Sequence, residues 1–296
     1  MDQAVFVGKL GPRLRLAGDA LRYIAACCRP TERNRLLNPH PHGIALHAWL
    51  PEVIDAVREA GRAIMSVYAT DFTVRNKHDA SPVTEADGLA ERVIVERLRA
   101  LTPSVPIVAE EAASAGCVPD VGERFWLVDP LDGTKEFISR NGEFTVNVAL
   151  IEHGEPVLGV VFAPAQDRLF AGVAGAGAFV EVAGRRRAIT CRVSPEDGAT
   201  VVASRSHGDA TALDAFLQGR KVARLTNAGS SLKLCLVAAG EADLYPRLGR
   251  TMEWDIAAGH AVLRAAGGDV VRVDDRAPLR YGKPGFENPH FVACGL

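Results

Sequence analysis

The clearest chemistry in this sequence lies in acidic residues set at the ends of short apolar runs. Glu110 and Glu111 follow Ile107-Val108-Ala109, and Asp129 and Asp132 follow Phe125-Trp126-Leu127-Val128. Asp255 comes directly after Trp254 at the head of a helical pattern, and Asp87 stands three residues after Thr84 in another. In α/β folds, strand C-termini and helix N-termini open into one crevice. Carboxylates gathered there repel one another and raise each other's pKa, a penalty that a divalent cation removes. An all-oxygen donor set favours Mg²⁺, Mn²⁺ or Ca²⁺ over zinc.

The most informative run is Trp126-Leu127-Val128-Asp129-Pro130-Leu131-Asp132-Gly133-Thr134. Its two aspartates stand three residues apart across a proline-fixed turn, a spacing that can chelate adjacent metals. Gly133 and Thr134 lead into the next segment. If that segment is helical, its free N–H groups favour a phosphate, and Thr134 can orient a metal-bound water. Asp-x-x-Asp-Gly alone is an ordinary turn; Glu-Glu upstream and Trp-Asp downstream make it specific. Two-metal activation of water needs no nucleophilic Ser, Cys or His, which agrees with the lack of a convincing triad motif.

Periodicity supplies the elements that must position these groups. Val53, Ile54, Val57, Ala60, Ile64, Val67 and Tyr68 repeat at helical spacing. Thr84 suits an N-cap for a second helix carrying Leu89, Val93, Ile94 and Leu98. From Glu143 the period becomes two, with Phe144, Val146, Val148 and Leu150 alternating with Thr145, Asn147 and Ala149. Further strands at 157–162, 169–173 and 178–182, separated by glycines, make an antiparallel meander. After Cys191 strands (201–202, 222–225, 270–273) alternate with helices (212–217, 232–239, 255–266). The chain reads as α/β in two parts, with an α+β front half over 46–192 and an α/β back half over 193–296. Residues 1–45 read as an extension outside the core, or an over-early start; Asp2 and Asp19 argue against a transit peptide.

Composition excludes several classes. With 296 residues, 48% hydrophobic and 24% charged, the chain can bury a large core and is neither disordered nor fibrous. Lys+Arg is 34 and Asp+Glu is 36, a net charge of −2, which argues against a nucleic-acid polymer as partner. No apolar run reaches membrane-spanning length. The six cysteines, Cys27, Cys28, Cys117, Cys191, Cys235 and Cys294, show neither CxxC nor zinc spacing, and read as reduced cytoplasmic thiols.

Three motifs, Val108-Ala109-Glu110-Glu111, the 129–134 run and Trp254-Asp255-Ile256-Ala257-Ala258-Gly259, resemble the inositol monophosphatase superfamily of metal-dependent, lithium-sensitive phosphatases. The likeness covers most of residues 50–295. Within it the sequence looks most like the bacterial 3'(2'),5'-bisphosphate nucleotidases. Three stretches carry this: Thr134-Lys135-Glu136-Phe137-Ile138 continuing to Asn141-Gly142-Glu143-Phe144-Thr145-Val146-Asn147, Ser204-Arg205-Ser206-His207, and Gly229-Ser230-Ser231-Leu232-Lys233 continuing to Leu244-Tyr245-Pro246-Arg247.

The resemblance implies the layered αβαβα sandwich shared by inositol monophosphatase and fructose-1,6-bisphosphatase. It implies that Glu110, Asp129 and the Leu131 carbonyl hold one metal, and that Asp129 bridges to a second held by Asp132 and Asp255. Asp87 would serve a third metal or the attacking water, with Thr134. Asp132, Gly133, Thr134, Ser206, His207, Gly229, Ser230, Lys233, Arg247 and Asp255 would meet the substrate. The implied activity is Mg²⁺-dependent removal of the 3'-phosphate of adenosine 3',5'-bisphosphate, giving AMP, and of the corresponding 3'-phosphoadenylyl sulfate. That activity would clear a by-product of sulfate assimilation. Mn²⁺ would substitute, and Li⁺ and Ca²⁺ would inhibit. Inositol phosphate or fructose bisphosphate hydrolysis on the same metals is the alternative; a non-catalytic nucleotide sensor is another. A cytoplasmic location follows, with peripheral membrane association and a homodimer left open.

Taken singly, many of these residues have plainer readings. Asp87 is a capping-box acid, Asp255 a helix-start acid favoured by the dipole and Glu111 a surface acid. His207 is a loop histidine, Ser230 or Ser231 a helix cap, and Lys233 a solvated charge. Trp126 and Tyr245 read as core, and Arg185-Arg186-Arg187 as a hairpin turn surface.

Overall fold

The computed structural model describes residues 43–76, 82–205 and 210–296. Residues 1–42 of the expected extension, and both Ser206 and His207, lie outside the described residues. The fold begins with α1 (Gly43–Tyr68), a two-strand ribbon of β1 (Arg75–Asn76) with β2 (Pro82–Val83), and α2 (Glu85–Leu101). The 3.6-residue stripe of α1 is buried from Leu46 to Val67, and Ala86, Ala90, Ile94 and Leu98 of α2 meet it in one core. α1 thus starts slightly before residue 46. Thr84 caps α2: its Oγ1 accepts from the Ala86 N–H at 3.2 Å, while its own N–H donates to Asp87 Oδ2 at 2.8 Å.

Next come β3 (Ile107–Ala109), α3 (Glu110–Ser114), β4 (Arg124–Asp132), α4 (Thr134–Ile138) and the meander β5 (Thr145–Glu152), β6 (Glu155–Ala163), β7 (Arg168–Val173), β8 (Gly177–Val182) and β9 (Arg185–Ile189). These strands form a seven-stranded sheet in chain order, antiparallel except for the parallel β3–β4 pair. Every residue of β5 is buried, because the sheet is covered on both faces. Val146, Val148 and Leu150 pack in the core of α1 and α2, and Ala149 and Ile151 in the opposite core. Thr145 and Asn147, which alternate with the valines, therefore face inward toward the other half.

That half holds β10 (Ala199–Ser204), α5 (Ala210–Leu217), β11 (Val222–Ala228), α6 (Leu232–Ala238), β12 (Leu244–Arg247), α7 (Glu253–Ala265), β13 (Asp269–Arg272) and β14 (Phe291–Cys294). Its sheet order is β11-β10-β12-β14-β13. β10 runs parallel to β11 and β12, and β14 antiparallel to β12 and β13. The β10–β11 and β11–β12 crossovers progress in opposite directions, so right-handed connections place α5 and α6 on opposite faces. α6 and α7 fill the space between the sheets, which yields an αβαβα sandwich. α7 lies very close to the large sheet: a Cβ on Gly159 of β6 would stand 2.3 Å from the Ala258 carbonyl oxygen, and one on Gly172 of β7 would stand 2.8 Å from Val262 Cα.

Two local expectations change. Arg185, Arg186 and Arg187 begin the edge strand β9, because Ala183 (φ 49) and Gly184 (φ 73) make the turn before them. All three are exposed, and Arg186 Nε pairs with Glu181 Oε2 at 2.7 Å; charge on an edge strand discourages further pairing. Asp129 and Asp132 do not follow β4 but lie within it, on either side of a register irregularity.

Candidate active site

A cleft of about 840 Å³ opens between the halves, and Glu110, Asp129, Leu131, Asp132, Gly133, Thr134, Ser230, Lys233, Arg247 and Asp255 all line it. Asp129 lies within β4, and each of the other acids owes its place to an element end. Glu110 is the first residue of α3, whose N-terminus lacks a side-chain cap from Ala109. Glu91 of α2 supplies it, accepting the N–H groups of Glu111 at 2.8 Å and Ala112 at 3.0 Å. Asp129, 1% exposed, accepts the Leu131 N–H at 3.0 Å. Asp132 receives Asn147 Nδ2 at 3.4 Å. Asp255 accepts the Met252 N–H at 2.8 Å, which caps α7. Asp87 stands behind this wall, where the Thr134 hydroxyl reaches its Oδ1 at 3.4 Å and the Leu131 carbonyl at 3.3 Å. Gly133 precedes α4 at φ 89, a left-handed conformation that favours glycine.

Burial pushes Asp129 well above the usual carboxylate range, and the charges of Glu110, Asp132 and Asp255 add to it. Asp255 is raised well above that range by burial, then by Asp132 and Glu110, against the opposing Met252 N–H. Asp132 is raised by burial, with the Lys233 ammonium opposing. Among the described residues no three His, Cys, Asp or Glu side chains close into a finished metal cage. The fit to a cation lies in the donors: all-oxygen, mutually repelling, and sharing one wall of an open cleft. Such a wall suits a hard divalent ion that retains part of its water shell.

The same cleft also carries basic and hydroxylic groups. Lys233 is 5% exposed, not a solvated charge; its Nζ donates to the carbonyls of Ser230 and, at 3.3 Å, Ala228. Burial lowers its pKa to about 8, with Arg247 adding to the effect and Asp132 opposing it. Arg247 donates from Nη2 to the Arg250 carbonyl at 2.7 Å. Ser230 Oγ meets Thr145 Oγ1 at 2.6 Å, Thr145 Oγ1 meets Asn147 Oδ1 at 2.9 Å, and Asn147 leads on to Asp132. Neither Ser230 nor Ser231 caps α6 through its side chain.

Of the remaining expected residues, Gly229 lies just outside the lining and gives its N–H to Glu143 Oε2 at 2.8 Å. Tyr245 is buried yet reaches the cleft, whereas Trp126 is core and donates to Thr102 Oγ1 at 2.9 Å. The sequence reading missed Glu91, whose signal was its place one helical turn beyond Asp87.

Known proteins resemble this chain in sequence and in fold. The sequence profile of the inositol monophosphatase family matches residues 46–291. The chain is 49% identical over 245 residues to the 3'(2'),5'-bisphosphate nucleotidase CysQ of Escherichia coli (strain K12), covering 82% of this chain and 98% of that protein. Identity to the protein of the same name from Haemophilus influenzae is 32% over 253 residues, covering 83% of this chain and 92% of that one. Among solved structures, CysQ from Bacteroides thetaiotaomicron superposes with a TM-score of 0.71 at 37% identity, covering 84% of this chain and 97% of that one. The inositol monophosphatase from Anabaena (Nostoc) sp. PCC 7120 superposes at 0.66 with 28% identity, covering 85% and 91%. With its site built on the same strand and helix ends that carry the matching motifs, the chain belongs to the inositol monophosphatase family.

Proposed function

We propose that this protein is a Mg²⁺-dependent phosphomonoesterase that removes the 3'-phosphate of adenosine 3',5'-bisphosphate, and of its 3'-phosphoadenylyl sulfate form. The observation that carries the reading is one cleft lined by two unlike sets of side chains, four carboxylates together with Lys233 and Arg247. An anionic ester needs the basic set, and a hydrolytic reaction at phosphorus needs the acidic one. The relatives named as bisphosphate nucleotidases support the nucleotide as substrate.

Glu110, Asp129, the Leu131 carbonyl, Asp132 and Asp255 are the residues that would hold two or three Mg²⁺ ions. Bound there, such ions supply charge neutralisation at the phosphoryl oxygens and a lowered pKa for water. The chain's own groups do the rest. Thr134 Oγ1, directed at Asp87 Oδ1, holds the attacking water in line and passes its proton toward that carboxylate. Asp87 is kept in place by the N–H and hydroxyl of Thr84, each at 2.8 Å. Lys233 and Arg247 bind the second phosphate and orient the ester, so that positioning supplies part of the rate.

The test is phosphate release with Mg²⁺ from adenosine 3',5'-bisphosphate, inositol 1-phosphate and fructose 1,6-bisphosphate under identical conditions. A preference of about a hundredfold for the nucleotide, about 2.7 kcal/mol in the transition state, is expected. Equal rates or a sugar preference overturn the substrate; tight nucleotide binding without turnover of any ester overturns the reaction and leaves a sensor.

A further inference from the structure

The substrate wall of this cleft is assembled from segments far apart in the chain, and one side chain outside the cleft joins two of them. Glu143 stands in the segment between α4 and β5, in the large-sheet half. Its Oε2 accepts Arg205 Nε at 3.0 Å, its Oε1 accepts Arg205 Nη2 at 3.0 Å, and Oε2 also takes the Gly229 N–H at 2.8 Å. Arg205 follows β10 and Gly229 follows β11, both in the small-sheet half. Arg205 also reaches the Asn227 carbonyl at 3.4 Å. Neither Glu143 nor Arg205 lines the cleft.

The packing around Gly229 leaves no slack. A Cβ on Gly229 would stand 2.7 Å from the Glu143 carbonyl oxygen and 2.9 Å from both Glu136 Cγ and Glu143 Cβ. The next residue, Ser230, has φ 50, in the left-handed region that a serine seldom adopts. Such a conformation persists only when neighbours over-determine it. Here Thr145 holds the Ser230 hydroxyl, Lys233 holds its carbonyl, and Glu143 holds the N–H of Gly229 before it. Exposed ion pairs contribute little to stability, but a bidentate pair that also takes a backbone N–H fixes direction as well as distance.

We propose that Glu143, through Arg205 and Gly229, is a positioning residue that sets the nucleotide side of the site and so its substrate preference, leaving the carboxylate wall untouched. This rests on the nucleotidase reading above. The described residues it touches or adjoins, within 134–147, 204–205 and 229–233, belong to the stretches that make the sequence look like a nucleotidase rather than any other phosphatase of the superfamily. The clamp joins them.

The experiment compares wild type, Glu143→Gln, Arg205→Gln and the double variant, with adenosine 3',5'-bisphosphate and p-nitrophenyl phosphate as substrates. Hydrogen–deuterium exchange is followed in peptides spanning 226–233 and 125–132. Each single variant is expected to lower kcat/KM for the nucleotide between about tenfold and a hundredfold, mainly through KM. It should change p-nitrophenyl phosphate hydrolysis by less than about threefold, and the double variant should lose no more than the worse single one. Exchange should rise in 226–233 and stay unchanged in 125–132. Equal losses on both substrates, additive losses, or unchanged exchange in 226–233 overturn the proposal. A wild type without nucleotide preference refutes the nucleotidase reading instead, and exchange then decides whether the clamp stands.

Discussion

Asp255 depends on how closely α7 lies on the large sheet, and Gly159→Ala tests that dependence. The added Cβ would stand 2.3 Å from the Ala258 carbonyl oxygen and 2.6 Å from Ala261 Cβ, about 1.1 Å inside the 3.4 Å at which ordinary contact begins. Neither neighbour can rotate away, since one is backbone and the other a Cβ. β6 is an interior strand of the large sheet, paired on both sides with β5 and β7, so the helix must yield. A shift of about 1 Å at Ala258 is carried to Asp255, one turn earlier on the same helix. Misplacement of that size costs on the order of a hundredfold in rate, and overpacking costs about 1–3 kcal/mol. For a chain of this length that corresponds to a Tm drop of roughly 2–10 °C. The assay is kcat/KM for adenosine 3',5'-bisphosphate with saturating Mg²⁺, beside a thermal melt of the same preparation. A variant that keeps kcat/KM within threefold of wild type and melts within a degree of it refutes the claim that this contact seats Asp255.

Asp129→Asn is expected to abolish turnover and yet raise the Tm of the metal-free protein. Because its folded-state pKa lies above the unfolded one, Asp129 favours the fold at acid pH, and that benefit is lost as pH rises through the folded value, so its charge weakens the metal-free fold at neutrality. The same sign predicts that metal-free wild type loses stability from acid to neutral pH, and that Mg²⁺ at about a hundred times its Kd restores about 2.7 kcal/mol, a gain absent from the variant; retained turnover in Asp129→Asn sinks the mechanism. Lys233, with its pKa lowered to about 8, predicts a fall in kcat/KM for the nucleotide above that pH, as the ammonium proposed to meet the phosphate is lost. Lys233→Met should show low activity with no such alkaline limb, and persistence of the limb assigns it to another group. Burial disfavours that ammonium, so its penalty on the fold is full below about 8 and is relieved as pH rises toward the ordinary lysine value of 10.5.

The acidic wall was legible because Glu110, Asp132 and Asp255 mark the ends of elements that periodicity already announces, and Asp129 stands three residues before Asp132 in the same run. Thr84 and Asp87 form a capping box in sequence and in space, and Asp255 caps α7 as its place after Trp254 suggests. β12 and β14 went unread although β13, no longer than they are, was read: β12 has Pro246 inside it, and four residues carry little pattern. Taken singly Lys233 reads as solvated, because an isolated lysine usually is, and only the resemblance places it at the substrate. Nothing near it in sequence shows that the Ser230 and Ala228 carbonyls and a carboxylate from the other half surround its ammonium.

Strand β5 shows most clearly what a linear reading misses. Alternation of Val146, Val148 and Leu150 with Thr145, Asn147 and Ala149 ordinarily means one buried face and one wet one. In a sheet covered on both sides, the polar members of such a strand cannot be wet, and Thr145 and Asn147 are buried. They must find polar partners inside, because a buried hydroxyl or amide without one is costly. Ser230 and Asp132 are those partners, so the chain of hydrogen bonds from the substrate wall to the carboxylate wall follows from satisfying β5. Polar residues alternating on a strand between two helical layers therefore mark an internal site, a signal that appears only once the layering is known.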